Sequence, residues 1–163
     1  MSNIEFGSIG EIHTPFKKLE GMPIQPIGAQ GVKGEIHIKQ KYLDGLKDIK
    51  HFSHLNLIYH LHKVKNYELE VKPFLDTKTH GIFATRSPKR PNPIGLSVVQ
   101  LDKVKNNILY VSNVDILDKT PIIDIKPYVP QLYQDTIENL KIGWFETKKD
   151  QAKTTKADSR FID

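Results

Sequence analysis

The 163-residue sequence predicts a mainly β fold, a closed or nearly closed antiparallel β-barrel with one or two short helices. Period-two alternation dominates the middle of the chain. The alternating runs are joined by turn-length connections, and the helical periods that a doubly wound sheet would need between its strands are missing. Seven or eight short strands linked this way favour closure, which removes exposed sheet edges.

The elements follow in order. "GEIHIK" sets Ile36 and Ile38 against Glu35, His37 and Lys39. "LNLIYHLHKV" sets Leu55, Leu57, Tyr59 and Leu61 against Asn56, Ile58, His60 and His62. "YELEVK" alternates Tyr67, Leu69 and Val71 with charged residues, and its closeness to the previous run predicts a hairpin. "GLSVVQLDKV" and "NILYVSNVDIL" flank "KNN" at 105–107, a second hairpin in which asparagine suits a left-handed turn. "TPIIDIKPY" is a further strand. Helical spacing appears only in "YLDGLKDI", through Leu43, Leu46 and Ile49, and in "YQDTIENLKI", through Tyr133, Ile137 and Leu140 with Asp135 near its start. One barrel domain over residues 1–145 is expected, followed by a polar, lysine-rich tail over 146–163 that is loosely ordered apart from docking of Phe161 and Ile162.

Composition narrows the chemistry. With no cysteine, disulfides and thiolate metal sites are excluded, as is a thiol nucleophile. No cationic leader and no long apolar run is present, so neither secretion nor a membrane partner is expected, and the cytoplasm is the expected compartment. The net charge of +5 suits a polyanionic partner such as nucleic acid. His60 and His62 share a strand face near His54, but no carboxylate stands at a familiar spacing and no metal is expected. There is no Gly-x-Ser-x-Gly elbow, and "GAQGVKGE" at 28–35 matches neither the dinucleotide fingerprint nor the phosphate loop.

The stretch with most chemistry is "GIFATRSPKRPNPIGLS" at 81–97. Prolines 88, 91 and 93 fix their own backbone angles and push Ser87, Arg90 and Asn92 toward extended conformations, so the loop is preorganised. Arg86, Lys89 and Arg90 supply cationic donors, Asn92 a donor and an acceptor, and Gly95 room for close approach of a ligand. Solvated charges on a proline-ruled barrel turn are the alternative. "DIKPY" at 124–128 gathers a carboxylate, an ammonium and a phenol, Asp124, Lys126 and Tyr128, which a cross-strand ion pair would explain in part.

"GIFATRSPKRPNPIGLS", with "DGLKDIKHFSHL" before it and "TPIIDIKPY" after it, closely resembles the TrmO family of S-adenosylmethionine-dependent tRNA methyltransferases, over about Ile9 to Pro130. The resemblance implies a β-barrel methyltransferase, a homodimer with the cofactor near the subunit interface, and methylation of N6 of N6-threonylcarbamoyladenosine at position 37, beside the tRNA anticodon. It implies cofactor contacts at Pro26, Ile27 and Gly28, at His62 and Lys63, at Arg86 and Leu96, and over Asp115, Ile116, Leu117 and Asp118. The chain departs from the family at Ile24, where members often carry arginine, and at Asn56, where they often carry tryptophan. Larger members continue into a C-terminal domain.

For the chemistry, Asp124 is the expected proton acceptor, Tyr128 the second choice, and Lys126 or Arg90 the holder of a substrate anion. Lys89, Arg90 and Asn92 are expected to bind substrate, with the lysines over 39–50 against the anticodon arm. A methyltransferase of a small molecule and a non-catalytic RNA-binding barrel are the alternatives; scattered aromatics argue against stacking-based RNA recognition.

Overall fold

The computed structural model describes residues 2–134, 137 and 139–162. Among the described residues eight strands form: β1 (Gly10–His13), β2 (Lys33–Ile38), β3 (His54–His60), β4 (Glu70–Val71), β5 (His80–Gly81), β6 (Ile94–Lys105), β7 (Ile108–Ser112) and β8 (Thr120–Pro127). Six close an antiparallel barrel in the spatial order β1-β2-β7-β6-β3-β8, while β4 and β5 pair in a small separate ribbon. The expected mainly β, closed antiparallel barrel is the observed architecture.

Alternation fills the interior. Leu55, Leu57 and Tyr59 of β3 point inward with Ile12, Ile36, Val99, Leu109 and Ile122 from the other strands, all buried. Each full burial of such a side chain is worth about 1.5–3 kcal/mol. The β6–β7 hairpin forms as expected, with Asn106 left-handed at φ 54°.

Other elements differ from their expected form. The "YELEVK" run does not make a hairpin with β3, because β6 and β8 already take both edges of that strand. Only Glu70 and Val71 remain extended, paired with β5, and Tyr67 and Leu69 stay exposed. β7 ends at Ser112, where Asn113 turns the chain at φ 64° and its side chain accepts from the Gly31 amide at 2.9 Å. The residues expected as a helix at 42–49 form a 3-10 helix over Gln40–Leu46 and a second turn over Ile49–His51, since a left-handed Asp48 interrupts the run. β1 has the same "GEIH" residues as the start of the β2 run and pairs with them, Ile12 opposite Ile36. Helix α1 covers Gln131–Gln134, Ile137 and Leu140 are exposed, and Asp135 lies outside the described residues. The segment expected as a loose tail forms 3-10 turns over Gly143–Thr147, Lys149–Lys153 and Ser159–Phe161, burying Ala152 and Phe161 while Ile162 stays partly exposed.

Gly95 has a structural role in place of the expected ligand approach. It lies opposite Tyr59 in the β3–β6 ladder, and a Cβ there would run into the Tyr59 ring. Gly95→Ala should therefore destabilise the barrel by about 2 kcal/mol through overpacking, read as a lower urea midpoint with an unchanged m-value.

Candidate functional site

A small cavity of about 80 Å³ opens where β3 ends and β8 begins. Leu61, Val64, Ile116 and Leu117 give it apolar walls, and Tyr59, His62, Asp115 and Thr120 bring polar groups. Leu19 and Met22 enter from the segment before the Pro26–Gly28 turn, and Pro88 from the proline-ruled loop.

The polar groups form a chain. Ser97 Oγ donates to Asp115 Oδ1 at 2.7 Å and lies 2.9 Å from the Tyr59 hydroxyl, which can then donate to it. Burial pushes the Asp115 carboxyl up to about 6, against the Ser97 bond, its own backbone amide and the charge of Arg86, which favour ionisation. Burial likewise raises the Tyr59 phenol, and the nearby Asp115 charge adds to that, so Tyr59 acts as a neutral donor. The result is a carboxylate held in a low-dielectric wall by one hydroxyl, its own backbone amide and the field of Arg86. Such a group is suited to a cationic ligand.

The remaining expected residues divide clearly. His62 sits in the turn after β3, with its backbone amide donating to His60 O at 2.8 Å, so it does not share the strand face expected for it. Burial, then Lys63 and His60, lower its pKa and keep the ring neutral. Arg86 donates from Nη2 to the Leu96 carbonyl at 2.7 Å, which fixes it beside β6. Asp118 is a structural anchor: Lys17 Nζ approaches to 2.7 Å and the Thr14 amide donates to it at 2.9 Å. Burial works against that carboxylate, but these partners outweigh it and hold its pKa below the usual range.

The proline-ruled loop spends much of its charge on itself. Arg90 Nη1 donates to the carbonyls of Thr85 at 2.8 Å and Ile82 at 3.1 Å. Lys89 pairs with Glu68 at 3.3 Å, whereas Asn92 is exposed. Among the described residues, the buried Ser87 hydroxyl has no hydrogen-bond partner.

Asp124, Lys126 and Tyr128 lie elsewhere. Asp124 is four residues along β8 from Thr120, about 13 Å at strand rise. It is bound to Lys126 at 2.8 Å, faces outward opposite Ile58, and lines a second hollow at the other mouth with Ile9, Ile38 and Tyr42. Tyr128 is exposed beyond the strand, its ring edge-on to His54. Within one copy, these three do not meet the cavity that holds Asp115. Sequence reasoning missed Tyr59 and Ser97 as site residues, because their inward alternation reads as core; a polar pair at such positions was the available signal.

Comparison with known proteins supplies the family. Residues 11–134 match the tRNA-methyltransferase O N-terminal domain model. A probable S-adenosyl-L-methionine-binding protein of Pyrococcus abyssi is 48% identical over 94% of this chain and 83% of its own length. The tRNA (adenine(37)-N6)-methyltransferase of Escherichia coli is 36% identical over 80% of this chain, which spans 60% of that protein. The crystal structure of TrmO from Pseudomonas aeruginosa superimposes with a TM-score of 0.70 at 31% identity, over 88% of this chain and 63% of that one. With the matched barrel domain and these relatives, the chain belongs to the TrmO family.

Proposed function

We propose that this protein is an S-adenosylmethionine-dependent tRNA methyltransferase acting on N6 of adenosine 37, with threonylcarbamoyladenosine as the modified nucleoside, in the cytoplasm and as a homodimer. The observation that carries the reading is the Asp115 carboxyl in the wall of an apolar cavity on a TrmO barrel.

The donor set fits the cofactor. In the cavity wall Asp115 supplies a counter-charge for a cation, and Leu61 and Leu117 apolar surface for a nucleobase; in the loop that brings Pro88 to it, Arg86 offers a guanidinium for a carboxylate and the buried Ser87 hydroxyl an unused hydrogen bond. Lys63 and His62 border the same cavity, and the turn Pro26, Ile27 and Gly28 stands beyond Met22. Bound S-adenosylmethionine supplies an electrophilic methyl on positively charged sulfur. The protein's own share is to align nitrogen with that carbon and exclude water.

Pockets that enclose a small ligand usually run to roughly 300–1,000 Å³. A cavity of about 80 Å³ takes only one end of such a molecule. The outward face of β3 and β6 beside it exposes Ile94 and Leu96, and a second copy seated there would bury this apolar surface and complete the walls. Asp124 and Lys126 flank the same face across from Ile58 and Asn56, so their roles as proton acceptor and anion clamp require the partner's cavity, with Tyr128 beside them. Exposed Asn92 and the half-buried guanidinium of Arg90 are offered to substrate, with Lys89 steadying the loop. Exposed Lys39, Lys41, Lys47 and Lys50 provide the phosphate-binding surface.

Methyl transfer from labelled cofactor should appear on threonylcarbamoylated tRNA and not on the unmodified transcript, with nucleoside mass analysis locating the methyl. Transfer to a small molecule without tRNA, or cofactor binding without transfer, would reject the substrate assignment. Asp124→Asn with full turnover would remove the proton-acceptor role. tRNA affinity should fall about tenfold or more between 50 and 200 mM salt, measured by filter binding.

Asp115 generates a prediction with two signs. Its folded pKa is raised, to about 6, so ionising it in the folded state costs stability that is absent below pH 4 and fully felt above about pH 6. Asp115→Asn should therefore stabilise the protein by about 1 kcal/mol at pH 8 and hardly at pH 4, while weakening cofactor binding. Binding by the parent protein should strengthen as pH rises through 6, and calorimetric titration together with thermal melts tests both halves.

A further inference from the structure

The cofactor cleft has walls from two separate loops, and a third segment ties them together. Met22 comes from the loop that leads into the Pro26–Gly28 turn, and Pro88 from the proline-ruled loop that carries Arg86. Neither loop is part of the barrel ladder. The segment after Ile142 touches both.

On one side, the Gly21 amide donates to Ala157 O and the Ala157 amide to Met22 O, each at 2.8 Å, and Pro23 forms a β-bridge with Lys156. Gly28 packs so closely on this segment that a Cβ there would stand 3.1 Å from the Lys153 carbonyl. On the other side, Trp144 Nε1 donates to Ala84 O at 2.8 Å, two residues before Arg86, and the indole stacks on His80 at 4.7 Å. His80 is held in turn by Asp76 at 2.9 Å. Phe161 is buried with Val71, Ile82 and Phe74, and Arg160 donates to Pro73 O at 2.8 Å.

We propose that residues 143–161 form a strap that sets the separation of the two cleft walls, with Trp144 and Phe161 as positioning residues for cofactor binding. The inference rests on the cofactor reading given above. A role in overall folding would instead tie the strap to the barrel, yet its bonds go to loops and to the β4–β5 ribbon. It also lies beyond residue 134, where the family match ends. The strands that close the barrel make their ladders without it.

The mechanical logic is that of preorganisation. A loop free to wander must be ordered when ligand binds, and that ordering subtracts from affinity. Fixing Met22 and Ala84 beforehand through one continuous segment removes the cost for both walls at once. Chemistry at saturating cofactor should be little affected, since the groups that touch the reactants are unchanged.

The test compares the 163-residue protein with Trp144→Ala, Trp144→Phe, Phe161→Ala and a chain ended after Lys141. Titration with S-adenosylmethionine, without tRNA, should show affinity about tenfold weaker for Trp144→Ala and Phe161→Ala, a factor worth about 1.4 kcal/mol. Trp144→Phe, which keeps a ring on His80 but loses the Ala84 bond, should fall between. In methylation assays KM for the cofactor should rise while kcat at saturation stays within about twofold. Hydrogen exchange should quicken over residues 21–29 and 82–87 in the shortened chain, with the strand amides unchanged.

Unchanged affinity in the point variants, or unchanged exchange over residues 21–29 and 82–87 in the shortened chain, would overturn the proposal. So would a uniform loss of protection across the barrel strands, which would make the segment part of the folding unit. The exchange measurement needs no ligand, and the titration needs no tRNA. A parent protein that binds cofactor but methylates no tRNA would therefore sink the substrate assignment alone and leave the strap standing.

Discussion

Closure of the six-stranded ring is the constraint on which the rest of this molecule depends. Once β8 pairs with both β1 and β3, no barrel strand retains a free edge, and each has its inward face committed to the core. Chemistry is then confined to two places, the outer surface and the loops at the two mouths. The proline-ruled loop and the turn after β3 occupy one mouth; the lysine-rich 3-10 turns cover the other.

At the first mouth a polar chain reaches inward from the rim. Tyr59 and Ser97 occupy inward positions, and the hydrogen bonds from Tyr59 to Ser97 and from Ser97 to Asp115 make their burial tolerable. Gly95 belongs to the same arrangement, since the ring of Tyr59 fills the space where a side chain would stand. Residues far apart in sequence thus share one requirement, which is that Asp115 keep its carboxyl in the wall without a close cation to neutralise it. The nearby Arg86 is turned to the Leu96 carbonyl, and only its field is felt.

Much of the scaffold was legible in the sequence because alternation records which face of a strand is buried. The runs around Ile36, Leu57, Val99 and Val111 all became barrel strands. Pairing partners were less legible: "YELEVK" looked ready for a local hairpin, and only the competition of β6 and β8 for the same edges ruled it out. β1 was overlooked although "GEIH" stands at both 10–13 and 34–37, since four residues are too short to display a period. For the candidate site, the motif loop and "DILD" lead to one mouth, the one that holds the Asp115 cavity. The grouping of Asp124, Lys126 and Tyr128 was visible as chemistry, but its distance from that mouth depends on strand direction, which no local pattern encodes. Arg90 looked free for the same kind of reason, because its carbonyl partners are set by the fold of the loop.

Trp144 is the chain's sole tryptophan, and it lies against His80 with its indole nitrogen bound to a loop carbonyl. Nature has in effect placed one fluorophore at the junction between the C-terminal segment and the cleft. Its emission wavelength and anisotropy report on a single contact rather than an average over many indoles. Docking and release of that segment are therefore observable in unlabelled protein, on the timescale of a stopped-flow mixing experiment.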